Sequence, residues 1–150
     1  MKPGQFALSG NGKWLAVSDA QERRIRVLDR RNGELHRELL SGVAGAPGLL
    51  VFSPDSRQLA EIDAYRVLVW DVETGRFLAQ LEQASGVEGL ITSVTFTPER
   101  TLLASVTSAT PPQASVWDVL GARPIWKAPA EMSVETAFLV PPGRMLAAIT

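Results

Sequence analysis

The sequence has no cysteine and a single histidine, His36, among its 150 residues. Without cysteine, neither a disulfide framework nor a thiolate metal site can form, and one histidine cannot build a transition-metal centre alone. We therefore expect no metal and no cofactor, and we place His36 on an exposed outer strand without a role. A chain without cysteine is also typical of a reducing compartment, so we expect a cytoplasmic location.

The sequence also lacks an excess of positive or negative charge, and it lacks long apolar runs. The formal net charge is −1, so no long-range field attracts phosphate and we expect no nucleic-acid partner. No apolar run approaches the roughly 20 residues of a membrane-spanning helix, and residues 1–10 lack the apolar region of a secretory signal, so we expect no membrane association. The composition, 45% hydrophobic and 21% charged, is typical of one soluble globular domain over residues 1–150.

The common signatures of catalysis are absent from the sequence. It contains no Gly-x-Ser-x-Gly elbow and no glycine-rich phosphate loop of the Walker or dinucleotide type. A single histidine also leaves little with which to activate a serine nucleophile. We therefore expect no catalytic residue in this chain and predict that it is not an enzyme.

What the sequence does contain is a repeat. Four segments align without a gap, and their first residues follow one another at intervals of 44, 44 and 43 residues: Leu8, Phe52, Phe96 and Leu139. The motif Ser-Gly-Val recurs 44 residues apart, at 41–43 and 85–87. A third landmark is an aliphatic or aromatic residue followed by aspartate, found as Leu28-Asp29, Trp70-Asp71 and Trp117-Asp118. The first two landmarks share one period and so predict a structural repeat. The spacing of the third drifts, because the segment before it varies in length.

Within each repeat the local pattern predicts strands joined by turns. Short runs such as 66–71 (RVLVWD) are rich in β-branched and aromatic residues. Asn32-Gly33, Thr74-Gly75 and Gly121 follow the aspartate landmark, where a tight turn needs positive φ. Each aspartate thus has a predicted turn role, because a catalytic carboxylate would not recur in every repeat. The predicted strands are 5–9, 14–18, 24–29, 35–40, 49–53, 58–62, 66–71, 77–82, 91–97, 102–106, 114–118, 123–128, 134–140 and 145–150.

Four strands per repeat, a period near 44 residues and a Trp-Asp landmark resemble the blades of WD-repeat β-propellers. The second and third repeats carry the resemblance best, with Phe52-Ser53-Pro54-Asp55 and Trp70-Asp71, then Phe96-Thr97-Pro98-Glu99 and Trp117-Asp118. The resemblance implies an all-β propeller fragment of about three and a half four-stranded antiparallel blades. Blade 1 is expected at about 5–40, blade 2 at about 49–82, blade 3 at about 91–128 and half blade 4 at about 134–150.

The family commonly has a Gly-His pair whose histidine joins a buried tetrad, whereas this sequence has Gly42-Val43 and Gly86-Val87 at that place. We therefore expect no such tetrad and predict that the blades cohere mainly through apolar packing, with Trp70 buried between blades. Because three and a half blades cannot close a ring, we expect a fragment of a longer protein with its remaining blades, or self-association through open blade faces.

Between its second and third strands the third repeat carries a longer segment, 105–113 (SVTSATPPQ), than the second repeat does. Longer loops on a rim often carry binding specificity, although an insertion that is merely tolerated is an equal alternative. The turn at Tyr65 and the segment Val43–Gly48 should share this rim. The candidate partner-binding residues are Tyr65, Thr107, Thr110, Pro111, Pro112 and Gln113.

Repeated sheets, a near-neutral charge and no catalytic constellation favour a protein–protein interaction scaffold that binds other proteins or peptides. The alternative is the propeller portion of an enzyme whose catalytic residues lie outside this chain. A purely structural spacer is a third hypothesis, and it predicts no specific partner.

Overall fold

The computed structural model describes residues 4–19, 21–41, 48–82, 89–97, 102–110, 112–129, 134–140 and 144–149, and within these it describes the side chains of all but 102–106, 134–140 and 144–149. None of the described residues is helical, so none lies in a helix that could cross a membrane. The strands are β1 (Phe6–Leu8), β2 (Trp14–Asp19), β3 (Arg24–Asp29), β4 (Leu35–Leu40), β5 (Leu49–Phe52), β6 (Gln58–Asp63), β7 (Arg66–Asp71), β8 (Phe77–Glu82), β9 (Ile91–Phe96), β10 (Leu102–Thr107), β11 (Ala114–Asp118), β12 (Arg123–Lys127), β13 (Val134–Val140) and β14 (Arg144–Ile149).

The strands form three four-stranded antiparallel sheets and one hairpin, each with its strands in chain order. Sheet 1 contains β1–β4, sheet 2 contains β5–β8, sheet 3 contains β9–β12, and sheet 4 is the hairpin β13–β14. The fold-class prediction, an all-β series of three and a half blade-like sheets, is confirmed. Each strand starts and ends within one residue of its predicted bounds, because Gly, Pro, Asn and Asp mark the turns between short β-branched runs.

One cross-strand row of side chains recurs in the three complete sheets. In sheet 1, Leu8 pairs with Leu15 and Leu15 pairs with Leu28. The same register joins Phe52, Leu59 and Trp70 in sheet 2, and Phe96, Leu103 and Trp117 in sheet 3. A shared register places equivalent residues on the same face of each sheet, since side chains alternate along a strand.

The described row residues of sheets 2 and 3 pack against the sheet before them, with Phe52 half-buried and Leu59, Trp70, Phe96 and Trp117 buried. The core between sheets 1 and 2 consists of Trp14, Ala16, Ile25, Val27, Leu39, Leu50, Leu59, Leu68, Trp70 and Val72. The core between sheets 2 and 3 consists of Ala60, Ile62, Val67, Val69, Ala79, Leu81, Ile91, Val94, Phe96, Trp117 and Val119. Trp70 is 3% exposed and lies in the first of these cores, which confirms the prediction that it packs between sheets.

The recurring aspartates support the turns that follow the third strand of each sheet. The Asp29 carboxylate accepts a hydrogen bond from the Arg31 N–H at 2.8 Å, and that of Asp118 accepts one from the Gly121 N–H at 3.1 Å. Asp71 accepts from both the N–H (2.8 Å) and the Oγ1 (2.7 Å) of Thr74. Partly exposed carboxylates that accept local hydrogen bonds have the turn role that the sequence predicts.

The hairpin of sheet 4 departs from the shared register by one residue. Leu139 pairs with Met145, whereas the alignment of the repeats makes Leu146 the equivalent of Leu103. Val140 pairs with Arg144. The two strands of the hairpin are therefore offset by one residue from the pairing of the complete sheets.

Candidate functional site

The turns at one end of sheets 2 and 3 form a single surface, which we call the loop rim. It consists of the turn Ala64-Tyr65 after β6, residues 89–90 before β9, and the loop 108–113 after β10. The Ile91 N–H donates to the Ala64 carbonyl at 2.6 Å, and the Ser108 N–H donates to the Leu90 carbonyl at 2.8 Å. The Leu90 N–H in turn donates to the Ser108 Oγ at 2.9 Å. The chain entering β9 therefore ties the two neighbouring turns together.

The rim presents two large exposed side chains. Tyr65 is 60% exposed and Leu90 is 46% exposed. The backbone segments that carry them are joined by the hydrogen bond from the Ile91 N–H to the Ala64 carbonyl. Thr110 is exposed, and Pro112 and Gln113 are half-buried, while Pro111 lies outside the described residues. Tyr65 and Leu90 on a fixed backbone suit contact with another protein, since both side chains provide contact area and lose little conformational entropy on binding.

Thr107 does not belong to the accessible part of this surface. It is the last residue of β10, only 4% exposed, and its N–H donates to the Gln113 carbonyl at 2.9 Å. The structure therefore does not expose Thr107 for the predicted contact, because β10 continues one residue beyond its predicted end and takes Thr107 into the sheet. The loop between β10 and β11 spans residues 108–113, whereas the equivalent turn of sheet 2, Ala64-Tyr65, has two residues.

Two backbone features hold the rim in a restricted conformation. Ala64 has φ of 41°, a left-handed value that L-residues other than glycine rarely adopt. Gly89 has φ of 118°, and a Cβ there would lie 2.4 Å from the Ala109 backbone nitrogen. Arg23, Ser56 and Ala122 adopt the same left-handed values at turns outside the rim, so these conformations fix the turns of the rim without marking it as a site.

A buried polar contact fastens sheet 1 to sheet 2 near the same end. The Ser41 Oγ donates to the Glu61 Oε1 at 2.6 Å, and Glu61 is fully buried in β6. A Cβ at Gly48 would lie 2.7 Å from the Glu61 Cγ and 2.4 Å from the Ile62 carbonyl oxygen, so the chain passes directly over this carboxyl group. Residues 43–47 of the predicted rim segment Val43–Gly48 lie outside the described residues.

Glu61 was not among the predicted residues, although its position in β6 carried a signal. Glu61 follows Leu59 by two residues in β6, so it lies on the face that packs against sheet 1. A charge at an inward position of a strand needs a partner, because an unpaired buried carboxylate is expensive. The inter-sheet contact is thus partly polar, beyond the apolar packing that we expected.

His36 lies at the opposite end, and its predicted exposure is wrong. Its side chain is 17% exposed, with its ring stacked on Trp14 at 4.0 Å and 19°. The Nε2 lies 3.8 Å from the Glu73 carboxylate of sheet 2, and the Lys13 Nζ lies 4.0 Å from the Trp14 ring. We expected the His36 ring to be exposed because it lies on an outer strand, but the Trp14 ring covers one of its faces.

The electrostatics of Asp71 suit its role in the turn. Partial burial raises the pKa of Asp71, but hydrogen bonds from Thr74 and Glu73 and the charge of Arg76 outweigh it, so the carboxyl pKa is lowered from its ordinary 3.8. A lowered pKa keeps the group ionised and acceptor-only, as a turn cap requires. Within the described part of the chain no three His, Asp or Glu side chains are grouped as metal ligands.

Comparisons with known proteins bear on the fold. No family model matches the chain, and no curated protein matches it. Among solved structures, 970 chains match, so this arrangement of sheets is widespread. One of them is hydrazine synthase of Kuenenia stuttgartiensis, with a TM-score of 0.68 and 15% identity over 93% of this chain. The chain spans 41% of the length of that protein chain. A likeness at this identity supports the fold alone.

Proposed function

We propose that the chain is a protein–protein interaction scaffold built from WD-like repeats, and that its partner binds the loop rim as an extended peptide segment. The observation that carries the proposal is the pair of exposed side chains, Tyr65 and Leu90, on a backbone tied by the Ile91–Ala64 and Ser108–Leu90 hydrogen bonds. A preorganised surface loses little conformational entropy on binding, which favours affinity.

The chemistry of the rim argues for a peptide of mixed polarity. Tyr65 and Leu90 offer apolar contact, while the loop 108–113 offers hydroxyl, amide and backbone groups. Rim loops on a rigid β scaffold are a common place for recognition. The net charge of −1 gives no reason to expect a polyanion.

A peptide-display screen against the immobilised full chain tests the proposal. Peptides selected on the wild type should bind Tyr65→Ala and Leu90→Ala at least about tenfold more weakly, because truncating an anchor residue at an interface typically has this effect or more. Leu120→Ala is the matched control, since Leu120 is 67% exposed in the turn after β11, at the other end of sheet 3. Peptides whose affinity is unchanged by the two rim variants would place binding elsewhere.

The propeller portion of an enzyme is the second candidate. Its catalytic residues would lie outside this chain, and a fold of this kind hosts many unrelated functions, enzymatic ones included. In that case the rim would contact a catalytic domain, and the selected peptides would resemble segments of such a domain. A screen that yields no peptide above background would instead favour a structural spacer.

A further inference from the structure

The two asparagines of the sequence are both followed by glycine, in Asn11-Gly12 and Asn32-Gly33. Asparagine is a chemically labile residue, and a glycine after it lets the backbone nitrogen approach the side-chain amide, since glycine has no Cβ. Both pairs lie in turns of sheet 1, the first between β1 and β2 and the second between β3 and β4. The two sites thus share one reactive dipeptide, and their surroundings decide which of them reacts.

The turn that contains Asn32 is open to solvent. Asn32 and Gly33 are both exposed. Gly33 has φ of 74°, and no atom lies within 4 Å of the place where its Cβ would be. The Asn32 Oδ1 accepts a hydrogen bond from the Glu34 N–H at 3.0 Å. Within the described part of the chain, this local bond is what holds the Asn32 side chain.

The side chain of Asn11 is held more firmly. Its Oδ1 accepts hydrogen bonds from the Ser9 Oγ at 2.7 Å and from the Lys13 N–H at 2.9 Å. The Asn11 N–H also donates to the Ser56 Oγ of sheet 2 at 3.1 Å. Ser9 is only 3% exposed, so rotation of the Asn11 amide would deprive a buried hydroxyl of its acceptor, which is unfavourable.

We propose that Asn32 is the site at which the folded chain deamidates, through a succinimide ring closed by the Gly33 backbone nitrogen. The Gly33 N–H donates to the Asp29 carbonyl at 2.8 Å, so the turn first opens locally, as exposed turns do. The nitrogen then forms a bond to the Asn32 Cγ, and its proton passes through water to the amide group that leaves as ammonia. Water hydrolyses either carbonyl of the ring and leaves aspartate or isoaspartate.

The preference for Asn32 over Asn11 follows from one additional hydrogen bond. The Gly12 N–H donates to the Ser9 carbonyl at 2.8 Å, just as the Gly33 N–H donates to Asp29, so opening of the turn does not separate the two sites. The bond from the Ser9 Oγ to the Asn11 Oδ1 has no counterpart at Asn32 among the described residues. A reaction that must break one more such bond is slower by about five- to tenfold.

Conversion changes the β3–β4 turn and leaves the loop rim as it is. The product adds a negative charge beside Asp29 and Glu34, and isoaspartate lengthens the backbone by one carbon inside a turn closed by the Asp29–Glu34 and Gly33–Asp29 hydrogen bonds. The equivalent turn of sheet 2 has Thr74 in place of Asn32 and lies at the opposite end of β7 from Tyr65. The inference is therefore independent of the function proposed for the rim.

Peptide mapping of the full chain by mass spectrometry, after incubation at mildly alkaline pH, measures both sites in one sample. Deamidation exchanges an amide for a carboxyl group, and chromatography separates the aspartate and isoaspartate peptides. Asn32 should convert about five- to tenfold faster than Asn11. In denaturing guanidinium chloride the two rates should differ by less than about twofold, because the hydrogen bonds of both turns are lost.

Ser9→Ala is the variant that isolates the additional bond. It should accelerate conversion of Asn11 by about five- to tenfold and leave the Asn32 rate unchanged, and circular dichroism shows whether the sheets remain folded. Should Ser9→Ala not fold, the comparison of folded and denatured wild type still decides the matter. Equal rates at the two sites of the folded chain, or faster conversion of Asn11, overturn the proposal. Absence of conversion at Asn32 in the folded chain, over a time that converts it in denaturant, overturns it as well.

Discussion

Replacing Trp70 by alanine should remove one of the two tryptophans in the core between sheets 1 and 2. Trp70 is 3% exposed, and its ring meets Phe77 edge-on at 5.9 Å and 68°. Truncating a buried tryptophan costs about 3–5 kcal/mol, since the lost burial is joined by the cost of the cavity. We place Trp70→Ala at the upper part of this range, because the aromatic pair contributes about 0.5–1.5 kcal/mol beyond burial.

Urea denaturation followed by far-ultraviolet circular dichroism measures this loss. Trp126→Ala is the matched control, because Trp126 is 37% exposed in the outer strand β12, and its truncation should cost less than about 1.5 kcal/mol. A Trp70→Ala variant that loses less than about 1 kcal/mol would refute the packing of sheet 2 on sheet 1. Equal losses for the two tryptophans would also contradict the reasoning.

Three further perturbations follow from the same contacts. Asp71→Asn should lower the free energy of unfolding by about 1–2 kcal/mol at neutral pH, because it weakens the hydrogen bonds from Thr74. The pKa of Asp71 in the folded state is lowered from 3.8, so this stabilisation is present above pH 3.8 and is lost as the pH falls through the folded pKa. The urea midpoints of wild type and variant should therefore converge in acid. Gly48→Ala should destabilise the chain by about 1–3 kcal/mol, because the new Cβ would lie 2.4 Å from the Ile62 carbonyl, and a thermal midpoint equal to wild type would contradict that contact. His36→Ala should cost about 1–2 kcal/mol in urea by removing the ring stacked on Trp14 at 4.0 Å, whereas His36→Phe, which keeps a ring, should recover part of the loss.

The sequence predicts the strands well because their signals are local. Gly33 and Gly75 adopt φ of 74° and 73° after the aspartate landmark, as expected for tight turns. In the third repeat the left-handed residue is Ala122, with φ of 48°, and not Gly121. Gly121 instead allows close approach, since a Cβ there would lie 2.5 Å from the Asp118 Oδ2. The residue types of a turn thus predict where the turn lies more reliably than they predict which of its residues adopts the left-handed conformation.

The candidate site was only partly predictable, because it depends on contacts between repeats. Tyr65 was foreseeable, since a tyrosine in a two-residue turn cannot be buried by its own sheet. Leu90 was not, because its exposure depends on how the chain enters β9 between two neighbouring turns. The stacking of His36 on Trp14 and the burial of Glu61 against Ser41 arise from the side-chain arrangement of adjacent strands and sheets, which periodicity does not encode.

The central claim is that sheets 2 and 3 each pack their recurring row against the sheet before them, and nuclear Overhauser contacts test this most directly. The Trp70 indole protons should show cross-peaks to the methyl groups of Ile25, Val27 or Leu39 in sheet 1. The Trp117 indole should likewise contact methyl groups of Val67, Val69 or Leu81 in sheet 2. Cross-peaks from both indoles confined to their own sheets would contradict the account.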